Sequence, residues 1–486
     1  MDAPHLSPDD FRALAHRMVD HVADYLTRVR DLPVSPPGLA PGDLARALPT
    51  LPPLLPGGPH EWDSIFHDLD ALILPALVHW QSPRFFAYFP CNASAPAILA
   101  EILSAGLNIN GMLWATSPAA TELESVMLDW FARALGLPDA FLNSSPEGGG
   151  VIQGTASEAA LVALVAARAR ALRRARLDPA RDADRAVLYA SEQAHSSIVK
   201  AAMIVGLASS PTDLARVRLI PTDHAQALRP DHLRDALRRD RDAGLIPAMI
   251  VATLGSTATL AFDPLPDLAR ARADLAPDAW LHVDAAHAGA AFVCPEHRAA
   301  LAGVEHADSF CFNPHKWLLT NFDCDLFWTR DRRALIESLS ITPEYLRNTA
   351  SDSGEVTDYR DWQIPLGRRF RSLKLWFVLR HYGLEGLRAH IRSHVTLANA
   401  LADLIRADAR FDLPFEPRLN LVVLRHRAGD DATRNLLARV NATGRALLSH
   451  AVVPGLGYVI RVAVGAPATT LEDIRELADL LRAHAD

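Results

Sequence analysis

The chain is 486 residues long, 49% hydrophobic, and carries a formal charge of −8. That much apolar material buries a sizeable core in roughly two to four structural units, which excludes a disordered chain. Acids and arginines are interspersed, so no basic stripe invites nucleic acid, and the four cysteines show no metal-ligand spacing and point to a reducing compartment.

The first ten residues are acidic and lack the apolar stretch of a secretory signal. Residues 71–79 are apolar but interrupted by Pro75 and too short to span a bilayer, so a soluble, cytoplasmic protein is expected. Ser7-Pro8-Asp9-Asp10 starts a helix, with a capping hydroxyl, proline at the first position and acids in the first turn. Phe11, Leu14, Met18, Val22 and Leu26 mark its apolar face. Between Leu32 and His60, prolines and glycines predict an extended arm laid over another surface. A helix and arm without their own core need a partner, such as a second subunit.

Residues 90–380 alternate helix and strand signals. Ser157 to Leu177 reads as a helix, while Ala186–Ala190, Ala248–Leu254, Trp280–Val283, Phe310–Phe312 and Leu326–Thr329 read as short buried strands. This pattern predicts an α/β fold with a mostly parallel, doubly wound sheet. After Tyr382-Gly383 a smaller α/β unit follows, with strands at Asn420–Leu424 and Tyr458–Val464 and helices at 431–450 and 471–484. The expected division is an N-terminal helix and arm (1–90), a large domain (91–380) and a small C-terminal domain (381–486).

Only three lysines, Lys200, Lys316 and Lys374, stand among the 49 Lys and Arg residues. A chain that avoids lysine on its surface marks each retained one for chemistry that arginine cannot do, namely attack of a free amine on a carbonyl. Lys316, in Asn313-Pro-His-Lys-Trp317, stands at the carboxyl end of a predicted strand, where open α/β sheets bind ligands. Lys200 and Lys374 read as helix-surface or packing residues.

Glu147-Gly-Gly-Gly-Val-Ile-Gln-Gly-Thr-Ala-Ser-Glu158 enters the next helix. Thr155, Ala156 and Ser157 there suit a phosphate, although a plain glycine loop is the commoner reading of such a run. Asp284 at the end of Trp280–Asp284 either holds the proton on a pyridine nitrogen or caps the next segment. His195 either stacks on a flat cofactor ring and contacts a substrate carboxylate, or is a structural hydrogen-bonder. Arg461 reads as a structural ion-pair partner before it reads as an active-site charge.

Taken together, these segments resemble the pyridoxal-5′-phosphate (PLP)-dependent group II amino-acid decarboxylases of fold type I, in the aromatic-L-amino-acid decarboxylase family. The resemblance covers nearly the whole chain, including His79–Pro90, Thr121-Glu-Leu-Glu124, Ala194–Ser197, His282–Ala286, Asn313–Trp317 and Asp358–Lys374. It implies that Lys316 carries PLP through an imine, Asp284 pairs with its ring nitrogen and His195 stacks on it. Thr155, Ala156, Ser157, Thr253, Ala286, Asn313, His315 and Gly367 complete the implied cofactor site. Phe89, Pro90, Cys91, Asn110, Met112 and His195 are the implied substrate contacts. A homodimer with sites at the subunit interface is implied too, with no metal. Residues 343–355 read as a Gly/Ser-rich lid, in which Tyr345 matches the family's catalytic loop tyrosine.

This chain departs from the family in having His287 where a tyrosine usually follows Asp-Ala-Ala, and at Cys91-Asn92 and Asn110–Trp114. Gly367 matches the aromatic decarboxylases, where histidine decarboxylases typically carry serine. The expected reaction is decarboxylation of tyrosine, phenylalanine, tryptophan or dihydroxyphenylalanine to the amine and CO2. An aromatic aldehyde synthase is the alternative, opposed by Tyr345 and His195. A decarboxylase of acidic or aliphatic substrates and a non-catalytic PLP-binding protein are weaker readings.

Overall fold

Parallel strands buried on both faces read as continuous apolar runs, and the central strands of this chain obey that rule. The computed structural model describes residues 5–51, 61–341 and 343–486. Its larger sheet comprises β1 (Gly149–Gln153), β2 (Ala186–Ser191), β3 (Val217–Ile220), β4 (Ile246–Thr253), β5 (Trp280–Asp284), β6 (Ser309–Phe312) and β7 (Asp325–Thr329), in the order β1-β7-β6-β5-β4-β2-β3. β3, β2, β4, β5 and β6 pair in parallel, while β7 is antiparallel to both β6 and β1. Every strand except β7 therefore points the same way, and their carboxyl ends share one edge.

The expected strands all appear, displaced by no more than two residues at an end. Two were not anticipated. β3 is a short edge strand whose Arg218 pairs with Asp240 at 2.6 Å, so it lacks a continuous apolar run. β1 lies inside the glycine segment and corrects both readings of it as a loop, plain or phosphate-binding. A Cβ on Gly148 would fall 1.8 Å from the Ala140 carbonyl oxygen, and one on Gly150 would fall 2.7 Å from the Trp328 ring. Those glycines admit neighbouring protein, not ligand. Against this sheet packs the helix Ala156–Arg174, with Ala159, Ala163, Ala166 and Ala167 fully buried. Small side chains let the helix approach closely, so a leucine at Ala163 would overpack at a cost of ~1–3 kcal/mol.

Helix Arg371–Arg406 leads from the large unit to the small one and breaks at Gly383, whose φ of 61° a side chain tolerates poorly. The small sheet is antiparallel, in the order β10-β11-β9-β8, from β8 (Phe411–Asp412), β9 (Leu421–His426), β10 (Ser449–Val453) and β11 (Gly457–Ala463). The helix expected over 431–450 is shorter, Asp430–Ala442. Gly444, at φ 66°, turns the chain, and the apolar residues beyond it pair as β10 instead of extending the helix.

At the N-terminus, Ser7 Oγ accepts the Asp10 N–H at 3.1 Å to cap helix Pro8–Arg28, which buries none of its residues against the rest of the chain. Phe11 and Val19 on it stay exposed, as do Leu99, Ile102, Leu103 and Leu107 on helix Ala95–Leu107. The expected arm contains a short helix, Asp43–Ala47, while Pro52–His60 lie outside the described residues. Further on, the Phe86 N–H donates to the Leu447 carbonyl and the Ala463 N–H to that of Phe86, each at 2.9 Å. Pro90 packs so closely on Gly465 that a Cβ there would fall 2.3 Å from Pro90 Cγ. These contacts stitch residues 86–90 to the small unit and deliver Phe89 to the carboxyl edge of the large sheet.

Candidate active site

Two adjoining cavities lie at that edge. The inner one, of about 220 Å³, is bordered by Thr155, Ala156 and Ser157 at a helix start and by Thr253, Asp284, Ala286, Asn313, His315 and Lys316. The outer one, of about 1130 Å³, is lined by Trp80, Tyr88, Phe89, Pro90, Cys91, His195, Phe322 and Arg461 among others. Phe89, His195, His315, Lys316 and Phe322 border both.

β6 ends at Phe312, and Pro314 opens the single helical turn Pro314–Trp317 that carries Lys316. Asn313 Oδ1 accepts the Ala156 N–H at 3.0 Å and so ties this turn to the start of helix Ala156–Arg174. That bond removes Ala156 from the expected phosphate donors, leaving the Ser157 N–H and the Thr155 and Ser157 hydroxyls at the positive end of the helix dipole. Lys316 Nζ stands 5.6 Å from the centre of the Phe89 ring. Burial lowers its pKa, against the pull of Asp284, Asp325 and Cys311, and so favours the free amine.

Asp284 ends β5 beside Thr253 of β4, and its Oδ1 accepts the Ala286 N–H at 3.0 Å. Its second oxygen and the buried Thr253 Oγ1 have no partner among the described residues. Asp325 is also buried with both oxygens unpaired, but burial pushes its pKa far up and it borders neither cavity. Asp284 is thus the carboxylate presented to the inner cavity.

His195 Nδ1 accepts the Ser197 N–H at 3.2 Å, so in the neutral ring Nε2 carries the proton. Partial burial lowers its pKa, opposed by Asp284. His315 Nδ1 lies 2.7 Å from the Cys324 carbonyl oxygen and 2.9 Å from its nitrogen, and burial with Lys316 alongside brings its pKa to about 3. Both imidazoles are therefore neutral near pH 7.

Two residues gain importance from the structure. Arg461 is not the ion-pair partner its sequence context suggested. It is 2% exposed, no carboxylate pairs with it among the described residues, and its guanidinium donates instead to the Ala258 and Tyr88 carbonyls and to Ser449 Oγ. Burial pulls its pKa down to about 10, and it borders the outer cavity 5.0 Å from the Phe89 ring centre. The sequence signal was a lone arginine in an apolar strand. Phe322 was passed over altogether: it is 60% exposed at the cavity mouth, its ring edge-on to His315, and an exposed phenylalanine six residues after Lys316 was the available clue.

Other expected residues are not brought to the chain's own cavities. Asn110 Oδ1 accepts the Arg368 N–H, the Gly111 N–H donates to the Arg368 carbonyl, and the Met112 carbonyl accepts the Arg360 N–H. Residues 110–112 and the segment 360–368, which includes Gly367, thus form one block. Asp358, at the base of the expected lid, accepts the Trp114 N–H at 2.9 Å and joins the lid to that block. The described part of Tyr345 is its backbone, in the 3-10 turn Glu344–Leu346. Lys374, read as a helix-surface or packing residue, is buried and paired with Glu101 at 2.6 Å.

A PLP group suits this inner lining. An amine poised for imine formation, an unshared carboxylate oxygen, an unpaired hydroxyl on Thr253 and a helix start with free donors match its aldehyde, ring nitrogen, ring hydroxyl and phosphate. The comparisons agree. Residues 41–427 match the family described as "Pyridoxal-dependent decarboxylase conserved domain". The chain is 46% identical to tryptophan decarboxylase 2 from Oryza sativa subsp. japonica, over 99% of this chain and 95% of that one. It is 44% identical to phenylacetaldehyde synthase from Arabidopsis thaliana, over 99% and 96%. A crystal structure of Oryza sativa TDC with PLP and tryptamine superposes with a TM-score of 0.95 at 43% identity, covering 100% of this chain and 99% of that one.

Proposed function

The chain belongs to the pyridoxal-dependent decarboxylase family and is a PLP-dependent carboxy-lyase of aromatic L-amino acids, and we propose that Lys316, Asp284, His195, Arg461 and Tyr345 carry the reaction. One observation supports the division of labour above all others. A carbonyl-reactive lysine and an arginine with no acidic partner among the described residues border the same aromatic ring, Phe89. Amine, carboxylate and ring are the three parts of an aromatic amino acid.

Lys316, Asp284, His195, Thr253, Thr155, Ser157, Asn313 and His315 would hold PLP, which when bound supplies the electron sink for the bond to the departing carboxylate. Lys316 would hold the cofactor through its side-chain amine. Asp284 retains a proton on the ring nitrogen. Arg461 receives the substrate carboxylate, aided by the Nε2–H of His195. Phe89, Trp80 and Phe322 surround the substrate ring and exclude water. Tyr345, on the lid, returns a proton to Cα once CO2 has left.

The block of Asn110, Met112, Gly367 and the lid serves the cavity of a second copy, so the working unit is a homodimer. The exposed apolar faces of helices Pro8–Arg28 and Ala95–Leu107 support that assembly. Mixing Lys316→Ala with Tyr345→Phe subunits should then recover activity that neither has alone. Among the described residues no helix is long and apolar enough to cross a membrane, and all four cysteines are free, which supports a cytoplasmic location. The substrate class is tested with purified holoenzyme and a panel of tryptophan, tyrosine, phenylalanine, dihydroxyphenylalanine, histidine and glutamate, with CO2, amine and peroxide quantified. Amine should equal CO2 for at least one aromatic substrate; a higher kcat/KM for histidine or glutamate than for every aromatic would overturn the reading.

A further inference from the structure

Asp284-Ala-Ala-His287 carries the chain from the end of β5 to an imidazole that is 1% exposed. The ring of His287 lies flat between two others, 3.8 Å from Phe89 at 12° and 5.1 Å from Trp317 at 13° between centroids and planes. Trp317 is held in turn at its edge, where its Nε1–H donates to His394 Nδ1 at 2.8 Å with the two rings nearly coplanar. Trp317 is the residue after Lys316, so the stack is braced on the same helical turn as the reactive amine.

A hydrogen bond fixes the imidazole in its own plane. His287 Nε2 lies 2.8 Å from Asn420 Oδ1, and the Asn420 side-chain amide donates to the Val464 carbonyl at 2.9 Å. That bond leaves Oδ1 as the acceptor, so Nε2 of His287 carries the proton and Nδ1 is bare. Burial keeps the ring neutral; the Asn420 bond opposes this, and Lys316, Arg461 and His394 reinforce it. His287, which also borders the inner cavity, therefore joins the lysine turn, the small unit and the Phe89 ring, beside which Lys316 Nζ and Arg461 also stand. At 3.8 Å the two rings are in contact, and Phe89 has no room to retreat.

We propose that His287 is a positioning residue that sets where the Phe89 wall stands relative to Lys316, and through that wall the size of aromatic side chain the cavity accepts. The proposal rests on the aromatic-substrate reading above. It makes the two attachments of His287 separable. His287→Phe keeps a ring behind Phe89 and loses the bond to Asn420, whereas His287→Gln keeps a donor for Asn420 and loses the ring.

The test is equilibrium binding of tryptamine and phenethylamine to wild-type, His287→Phe and His287→Gln holoenzymes, read from visible circular dichroism of the bound cofactor. In His287→Gln the ratio of the two dissociation constants should change by about twofold to tenfold, the range an aromatic pair contributes. His287→Phe should keep the wild-type ratio while its thermal midpoint falls, because Asn420 Oδ1 is left unpaired. An unchanged ratio in His287→Gln with an intact cofactor signal overturns the proposal. So does an equal change in both variants, which would trace the effect to the Asn420 bond. If His287→Gln does not fold, His287→Met, which fills the space without a ring, takes its place with the same expected shift. Wild-type protein binding neither amine would overturn the aromatic reading itself, and the proposal with it.

Discussion

Replacing Arg461 with methionine keeps much of the side chain's length and removes its charge. In the structure the guanidinium is buried, donates to the Ala258 and Tyr88 carbonyls at 3.2 Å and to Ser449 Oγ at 3.0 Å, and among the described residues finds no partner for Nη2 and no acid beside it. A charge-assisted hydrogen bond to a substrate carboxylate contributes ~1.5–3 kcal/mol. Arg461→Met should therefore lower kcat/KM for an aromatic amino acid by about 10- to 150-fold. Binding of the corresponding amine, which has no carboxylate, should change far less. The variant also leaves three acceptors without their donor, so some loss of stability will accompany it. The assay pairs steady-state decarboxylation with equilibrium binding of the product amine, on protein whose cofactor content has been verified. Equal losses for acid and amine would show that Arg461 only packs against Phe89. No loss for either would remove it from the substrate site.

Lys316→Arg should abolish the imine absorbance of the holoenzyme, and borohydride reduction of wild type should label Lys316; label on Lys200 or Lys374 would refute the assignment. Tyr345→Phe should lower amine formation by ~100- to 10,000-fold, the usual contribution of a general acid. In air its products should shift towards aldehyde, ammonia and hydrogen peroxide, so amine at the wild-type rate without peroxide would exclude Tyr345 as the acid. In the cofactor-free protein, burial holds the pKa of Lys316 below its ordinary value of 10.5. Unfolding then takes up a proton, and the destabilising burial of an ammonium is fully present below the folded pKa and is lost as pH rises through it towards 10.5. Lys316→Met apoprotein should be more stable than wild type to urea at about pH 7, with a smaller advantage at about pH 10; an equal advantage at both would contradict this.

The fold class and the residues that line the inner cavity were legible because they are written locally. Strands such as Trp280–Asp284 are unbroken apolar runs, since a parallel sheet is covered on both faces. Lys316 stood out because arginine had replaced lysine almost everywhere that only charge was needed. Segments whose character depends on distant neighbours were not legible in this way. The glycines before Gln153 look like a loop, plain or phosphate-binding, until Ala140 and Trp328 are seen pressing on them. Ser449 and His450 look like the end of a helix until β11 pairs with them. Arg461 looks like an ion-pair partner because no local pattern reveals the absence of an acid; its donors go to Tyr88, Ala258 and Ser449, three segments far apart in the chain. Asn110, Met112 and Gly367 match a motif, yet only the folded chain shows residues 110–112 bonded to Arg360 and Arg368, and none of the three bordering either cavity. Sequence alone determined which chemistry this protein carries, because reactive groups and strand periodicity are properties of short segments. Tertiary structure decided which groups meet and what is left unpaired, because burial and partnership arise only when distant segments close on each other.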